Sequence, residues 1–199
     1  MTTKRKLYDI EVGLAKLDEF NFVRNLVVFN VNGSSSIMYL DHECDVLVLS
    51  KAGYLTEIEI KRSWEDFKAD FKKKCGHNDC GVIKTFYYCV SELFADKVIE
   101  YLKENKVDCY GVIIYSEEGE IEFRYEYIKQ HAKSRWNVHK LYLEQQLYLA
   151  KLGCMRLIGL KEKILELGKS NREYIACIKV QDAVIEEEIR KMNISDNIE

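Results

Sequence analysis

Residues 44–61 read CDVLVLSKAGYLTEIEIK, and this stretch decides the fold. Its first six residues are almost all apolar, which is typical of a strand that is buried on both faces. The KAG that follows at residues 51–53 predicts a turn, so the second half of the stretch is expected to return antiparallel to the first. The stretch therefore predicts a β-hairpin inside the core of the protein.

Charged side chains follow one face of the returning strand. Glu57, Glu59 and Lys61 alternate with isoleucines, and side chains two residues apart on a strand point the same way. With a turn at this place, Asp45 lies opposite residues 59–61, so Asp45, Glu59 and Lys61 are expected to meet. Charges inside a sheet are costly unless they are paired or bound to a metal, which indicates a functional site. A solvent-facing edge strand with Glu–Lys pairs is the alternative.

The segments around this hairpin predict an α+β mixed sheet with helices on both faces. Apolar residues recur at helical spacing over residues 6–20, and Ser63 is expected to cap a helix over residues 63–74. Residues 22–31 and 82–90 are rich in β-branched and aromatic residues, as strands are. A further helix and hairpin complete the pattern, and a strand–helix–strand unit beside antiparallel hairpins implies one mixed sheet.

The predicted secondary structure changes near residue 128, from strands and helices to helices only. Residues 1–127 are expected to form the sheet domain, whereas residues 128–199 are expected to be a helical extension, with helices over 138–151 and about 160–192. Residues of the second helix recur at roughly heptad spacing. This helix either packs on its own domain or forms a coiled coil that joins two copies into a homodimer or binds a protein partner. The heptad positions are Ile164, Leu167, Asn171, Tyr174, Ile178, Gln181, Ile185 and Met192.

Composition excludes several classes of protein. The 199 residues carry a formal net charge of −3, which is unlike a histone-type binder, and no run approaches the roughly 20 apolar residues of a membrane span. The seven cysteines are scattered and no secretory signal is visible, so we expect reduced thiols and a cytoplasmic location. The chain has no glycine-rich phosphate loop of the kind found in P-loop and Rossmann enzymes.

The hairpin carries a resemblance to a known family. Asp45, followed after thirteen residues by Glu59-Ile60-Lys61, resembles the signature of the PD-(D/E)XK nuclease superfamily, although Cys44 stands where that signature has proline. The stretch CDVLVLSKAGYLTEIEIKRSWEDFKAD at residues 44–70 is more closely similar to the MmcB-like DNA repair family. The resemblance covers roughly residues 8–125 and implies a restriction-endonuclease-like core.

The resemblance also implies an activity and its residues. It implies a deoxyribonuclease or DNA repair factor that hydrolyses phosphodiester bonds with Mg²⁺ (or Mn²⁺). Asp45, Glu59 and the backbone carbonyl of Ile60 would bind the metal, Lys61 would be the catalytic lysine, and Glu11 matches an acidic position on the first helix. Carboxylates suit such a hard cation, which acidifies water, and a lysine can stabilise the transition state. Some members are binding modules without cleavage, so a non-catalytic nucleic-acid- or protein-binding module is the alternative.

Positive charge is concentrated after the sheet domain. Residues 129–172 hold ten Lys and Arg against three Glu, and cations around an aromatic side chain are typical of surfaces that bind phosphates and stack on bases. We therefore expect DNA as a partner, and a solvated basic helix face is the alternative. The residues expected to contact nucleic acid are Lys72, Lys73, Lys133, Arg135 and Trp136.

Two further groups of residues suggest metal chemistry more weakly. Cys75, His77 and Cys80 provide three ligands of a structural zinc site, which needs four, so a plain loop is the other interpretation. Surface or packing roles are expected for His42, His131 and His139, and His42 and Glu43, just before Asp45, are better placed than the others to line its site.

Overall fold

The structure, a computed structural model, describes residues 5–32, 38, 40, 42–71, 81–107, 111–128 and 138–195, and their side chains as far as residue 172. Its elements are α1 (Leu7–Lys16), β1 (Leu26–Val31), β2 (Cys44–Leu49), β3 (Leu55–Lys61), α2 (Trp64–Asp70), β4 (Ile83–Ser91), α3 (Ala95–Glu104), β5 (Gly111–Tyr115), β6 (Phe123–Tyr127) and α4 (Leu143–Ser195). The six strands form one sheet in chain order, β1 to β6.

The centre of the sheet is parallel and its two sides are antiparallel. Strand β3 pairs with β4, and β4 with β5, in parallel, because α2 and α3 supply the crossover connections that parallel neighbours require. The β1–β2, β2–β3 and β5–β6 pairs are antiparallel. The predicted α+β mixed sheet is therefore confirmed.

The hairpin of β2 and β3 has the expected register. Val46 pairs with Ile58 and Leu47 with Glu57, and just beyond this ladder Asp45 is hydrogen-bonded to Glu59 and Ile60. Gly53 in the turn has a φ of +87°, a left-handed conformation that glycine adopts at no steric cost. The turn therefore sets the pairing that aligns the charged residues of the two strands.

Helices cover both faces of the sheet. On one face, Ile10 and Leu14 of α1 pack in one apolar cluster with Ile58 and Ile60. The opposite face is covered by α2 and α3, where Phe67 shares a cluster with aromatic and branched residues of β4 and β5. Because side chains alternate along β3, its charged residues point to this second face, away from α1.

Helix α4 is one continuous helix of 53 residues, where two helices over 138–151 and 160–192 were expected. The interval between those two segments contains Gly153 and Gly159. Each glycine costs a helix about 1 kcal/mol relative to alanine, which weakens the helix without ending it. The chain has no proline, so nothing in its covalent structure breaks the helix.

The chain divides into two compact units, Met1–Gly153 and Cys154–Glu199. The expected division into residues 1–127 and 128–199 stays a prediction. Part of the chain after residue 128 packs on the sheet, because Leu141 and Leu149 are buried in the cluster formed with β1 to β3. The N–H of Leu141 also donates to the carbonyl oxygen of Gly53 at 2.8 Å. Across the described residues, no helix has both the length and the apolar character needed to cross a membrane.

Candidate metal-dependent active site

Asp45 and Glu59 meet where the backbone pairing of β2 and β3 ends. The Cα register of the two strands runs from Leu49–Leu55 to Val46–Ile58. Beyond it, the N–H of Asp45 donates to Glu59 Oε1 at 3.3 Å, and Asp45 Oδ2 accepts a hydrogen bond from the N–H of Ile60 at 2.8 Å. Carboxylates thus replace backbone acceptors at the point where the strands separate.

The backbone of Ile60 faces the same place. The N–H and the carbonyl of one strand residue point to the same neighbouring strand. Because the Ile60 N–H points to Asp45, the Ile60 carbonyl also faces β2 at the end of the ladder. The structure therefore brings together all three of the groups that were expected to hold a metal.

Lys61 lies between two carboxylates. Its Nζ is 3.0 Å from Glu59 Oε2 and 2.9 Å from Asp70 Oδ2, and all three side chains are buried. Burial by itself lowers the pKa of Lys61, but the charges of Glu59 and Asp70 outweigh it and raise the pKa above its usual 10.5. Lys61 is therefore a permanent cation at physiological pH.

Asp70 is a site residue that the sequence reasoning missed. It comes from the last turn of α2, which lies over the second face of the sheet. The sequence did contain a signal, because Asp70 follows Phe67 by three residues and so shares the face of α2 that packs inward. A carboxylate on the apolar face of an amphipathic helix is costly unless it meets a cation, and here it meets Lys61.

Asp45 is the half-buried member of the group. Burial raises the pKa of Asp45, and the negative charges of Asp66 and Asp70 raise it further. The hydrogen bond from Ile60 and the charge of Lys61 act in the opposite direction without cancelling the rise. The charged form of Asp45 is thus held at an energetic cost, which a bound cation would relieve.

Glu57, the third charged residue of β3 on this face, belongs to a different cluster. Its Oε1 lies 2.6 Å from His42 Nε2, and Cys44 Sγ lies 3.5 Å from the same nitrogen. We call these three residues the His42–Cys44–Glu57 cluster. The three alternating charges are therefore divided between two neighbouring sites.

Glu11 is carried by α1, whose Ile10 and Leu14 share an apolar cluster with Ile58 and Ile60. Its Oε1 accepts a hydrogen bond from Asn30 Nδ2 at 3.1 Å. The catalytic role that the resemblance implies for Glu11 stays a prediction.

The predicted nucleic-acid contacts lie outside the described residues. This holds for Lys72, Lys73, Lys133, Arg135 and Trp136. It also holds for the expected zinc ligands Cys75, His77 and Cys80. Lys68, a described cation on α2, has its Nζ 3.9 Å from the centre of the Tyr101 ring, so it packs on an aromatic face.

The donors at the end of the hairpin fit a hard divalent cation. Asp45 and Glu59 supply carboxylate oxygens, Ile60 supplies a carbonyl oxygen, and Mg²⁺ and Mn²⁺ prefer such ligands. The positive charge of Lys61 beside Glu59 limits the excess negative charge of the group. The arrangement is a carboxylate–lysine centre on one face of an α+β sheet.

Comparisons with known proteins add little to this description. No family model matches the chain, and no curated protein matches it. A solved structure described as the SPO1766 protein of unknown function, from Silicibacter pomeroyi, is 14% identical to this chain. The match covers 72% of this chain and 81% of that chain with a TM-score of 0.44, which is too low to support a functional conclusion.

Proposed function

We propose that this protein is a metal-dependent deoxyribonuclease or DNA repair factor of the PD-(D/E)XK type, closest to the MmcB-like group, acting in the cytoplasm. The observation that carries the proposal is the meeting of Asp45, Glu59 and Lys61 at the point where β2 and β3 separate. These residues occupy the positions that the sequence resemblance assigns to the metal ligands and the lysine of such nucleases.

Each residue has a role that follows from its environment. Asp45, Glu59 and the carbonyl of Ile60 would hold Mg²⁺ or Mn²⁺, which supplies an acidified water and neutralises charge on the phosphate. The charges of Glu59 and Asp70 raise the pKa of Lys61, which favours its charged form. Lys61 would stabilise the negative charge that develops on the phosphate oxygens and orient the attacking water.

Asp70 would position Lys61. The Nζ of Lys61 contacts both Asp70 and Glu59. If Glu59 turns toward a metal, Asp70 still holds the ammonium group in place. Without Asp70, Lys61 would depend on a carboxylate that also serves as a metal ligand. Asp70 is therefore expected to matter for turnover while contacting neither metal nor DNA.

The test is a cleavage assay on branched, nicked and single-stranded DNA with Mg²⁺ or Mn²⁺. Asp45→Asn, Glu59→Gln and Lys61→Ala should each lower the rate by about 100- to 1,000-fold, the usual cost of removing one group that stabilises the transition state. Glu43→Gln, which alters an exposed carboxylate two residues from Asp45, is the control and should cleave at the wild-type rate.

Two outcomes would contradict the proposal. Cleavage that survives in a Glu59→Ala, Lys61→Ala double variant would show that a contaminant or another site is responsible. Stoichiometric DNA binding with no turnover under either metal would replace catalysis with the non-catalytic binding module.

A second function, assembly through α4, is favoured by a separate observation. Leu157, Leu160, Ile164 and Leu167 recur at heptad spacing in the second unit, and each is 55–66% exposed. Asn171 takes the next position of the same series. In this series Leu160 and Leu167 take d positions, and Leu157, Ile164 and Asn171 take a positions. Leucine at d with a β-branched residue and a single asparagine at a favours a parallel two-stranded coiled coil. We propose that a second copy of the chain covers this row of residues, which we call the α4 seam.

A further inference from the structure

We propose that the His42–Cys44–Glu57 cluster is a second metal site, specific for a thiophilic divalent cation of the Zn²⁺ class. The proposal does not depend on the nuclease activity, because these three residues are separate from Asp45 and Glu59. One ligand atom from each of the three lies within 4.8 Å of the others. Imidazole, thiolate and carboxylate are the three side-chain types that bind zinc in proteins.

The distance between Cys44 and His42 suits tetrahedral coordination by three protein ligands, with water as the fourth. Zinc–nitrogen and zinc–sulfur bonds of about 2.0 and 2.3 Å place the two donors about 3.5 Å apart, and Cys44 Sγ lies 3.5 Å from His42 Nε2. A nitrogen and an oxygen ligand would be separated by about 3.4 Å. The 2.6 Å between His42 Nε2 and Glu57 Oε1 is a hydrogen-bond distance, so this pair must move apart by about 0.8 Å when a cation replaces the proton.

The arrangement around His42 argues for a ligand set and against a nucleophilic triad. In a triad, the nucleophile and the carboxylate contact different nitrogens of the imidazole. Here Cys44 and Glu57 both contact Nε2, which places all three donors around one point. Cys44 is also fully buried, so a substrate cannot reach its sulfur.

Ligand chemistry separates this cluster from the hard site beside it. A cysteine thiolate selects zinc, iron or copper over Mg²⁺, whereas an all-oxygen set selects Mg²⁺ or Mn²⁺. Glu57 and Glu59 are two residues apart on one strand, so β3 would supply one ligand to each site. A cation at the cluster would tie the chain before β2 to β3 and stiffen the strand that carries Glu59 and Lys61.

The proposal is tested by titrating Co²⁺ into the reduced, metal-free full-length chain. Cobalt bound to a thiolate gives a charge-transfer absorption in the near ultraviolet, and we expect one equivalent per chain, displaced by Zn²⁺. The band should be lost in Cys44→Ser and lost or strongly weakened in His42→Ala and Glu57→Gln. Circular dichroism identifies any variant that fails to fold. If Cys44→Ser unfolds, the loss or survival of the band in His42→Ala tests the proposal, because His42 is at the edge of the cluster.

Matched variants exclude other thiols and the neighbouring site. Cys154→Ser removes an exposed cysteine, and a Cys75→Ser, Cys80→Ser double variant removes the other candidate zinc ligands; both should keep the band. Asp45→Asn should also keep it while losing Mn²⁺ binding. The proposal is overturned if wild type shows no band, if the band survives in folded Cys44→Ser, or if it disappears with Cys75 and Cys80.

Discussion

At the scale of single residues, the centre of the protein is governed by buried charge. Lys61 is held between Glu59 and Asp70 inside a sheet–helix interface. Removing two ions from water costs several kcal/mol for each, so such a pair contributes little net stability, but breaking it by removing one partner is strongly unfavourable. The retention of these charges in the core is therefore better explained by chemistry than by stability.

The ion pair of Lys61 with Asp70 gives a first prediction. Asp70→Asn should lower the free energy of unfolding by about 3 kcal/mol, the lower end of the usual range for breaking a buried pair, because Glu59 remains as a partner. Urea denaturation at pH 7 measures this loss. Asp66→Asn changes an exposed carboxylate on the same helix and should cost under about 1 kcal/mol. Equal losses in the two variants would contradict a special role for Asp70.

Asp45 gives a second prediction, on pH dependence. Its pKa is raised above 3.8, first by burial and then by nearby acidic groups. The folded state therefore binds a proton more tightly than the unfolded state, so the contribution of Asp45 to stability falls as pH rises from about 3.8 through the folded pKa. Asp45→Asn keeps an acceptor for the Ile60 N–H. Because asparagine does not ionise, the variant does not lose stability at this position as pH rises.

Asp45→Asn should accordingly be more stable than wild type at pH 7 without metal, and the difference should shrink toward pH 4. Wild type should gain melting temperature with Mn²⁺, and the variant should not. Thermal unfolding at both pH values, with and without Mn²⁺, measures both effects, with Glu43→Gln as the unaffected control. A variant that is less stable than wild type at pH 7, or that keeps the Mn²⁺ shift, would count against the site.

At the scale of elements, α2 connects the chemistry to the fold. Its inward face carries Phe67, which packs against Tyr88 and Tyr101, and Asp70, which meets Lys61. The helix has only seven residues, too few to be stable alone. Its position therefore depends on this packing and on its cap, and the position of Asp70 depends on the helix.

The N-cap of α2 gives a third prediction. Ser63 Oγ accepts a hydrogen bond from the N–H of Asp66 at 3.1 Å. Ser63→Ala should lower the free energy of unfolding by about 1 kcal/mol because this N–H loses its acceptor. Ser63→Asp keeps an acceptor and should lie close to wild type. Chemical denaturation of the three proteins measures the difference, and equal losses in both variants would rule out capping as the cause.

At the scale of the whole molecule, the two units differ in how they use apolar residues. The unit Met1–Gly153 has a core of buried apolar side chains in three clusters around the sheet. The described side chains of the unit Cys154–Glu199 leave many large apolar residues exposed, among them Leu157, Ile164 and Leu167. Contiguous exposed apolar surface of this kind marks an interaction site.

The α4 seam gives a fourth prediction. Wild type should be a dimer by light scattering, and Leu167→Glu should shift it to monomer because a charge would be buried between two helices. Leu165→Glu is the matched control: Leu165 is 64% exposed and Leu167 is 66% exposed, but Leu165 lies outside the a and d positions. A wild-type monomer, or equal dissociation by both variants, would contradict the proposed pairing.

The sequence by itself determined the hairpin and the class of fold. The apolar run before Gly53 and the alternation after it specify two strands and their register, because local backbone preferences and a period of two are properties of the chain alone. For this reason the pattern of residues is enough to place Asp45 opposite residues 59–61, and the hydrogen bonds that join Asp45 to Glu59 and Ile60 agree with that placement.

Only the tertiary structure decided what surrounds these residues. Asp70 reaches Lys61 because α2 crosses over the sheet, and Glu57 turns to His42 instead of joining Glu59. The burial of Leu141 and Leu149 likewise depends on a segment that follows the sheet in sequence. Such contacts join residues far apart in the chain, and they form only where the packing of whole elements brings those residues together.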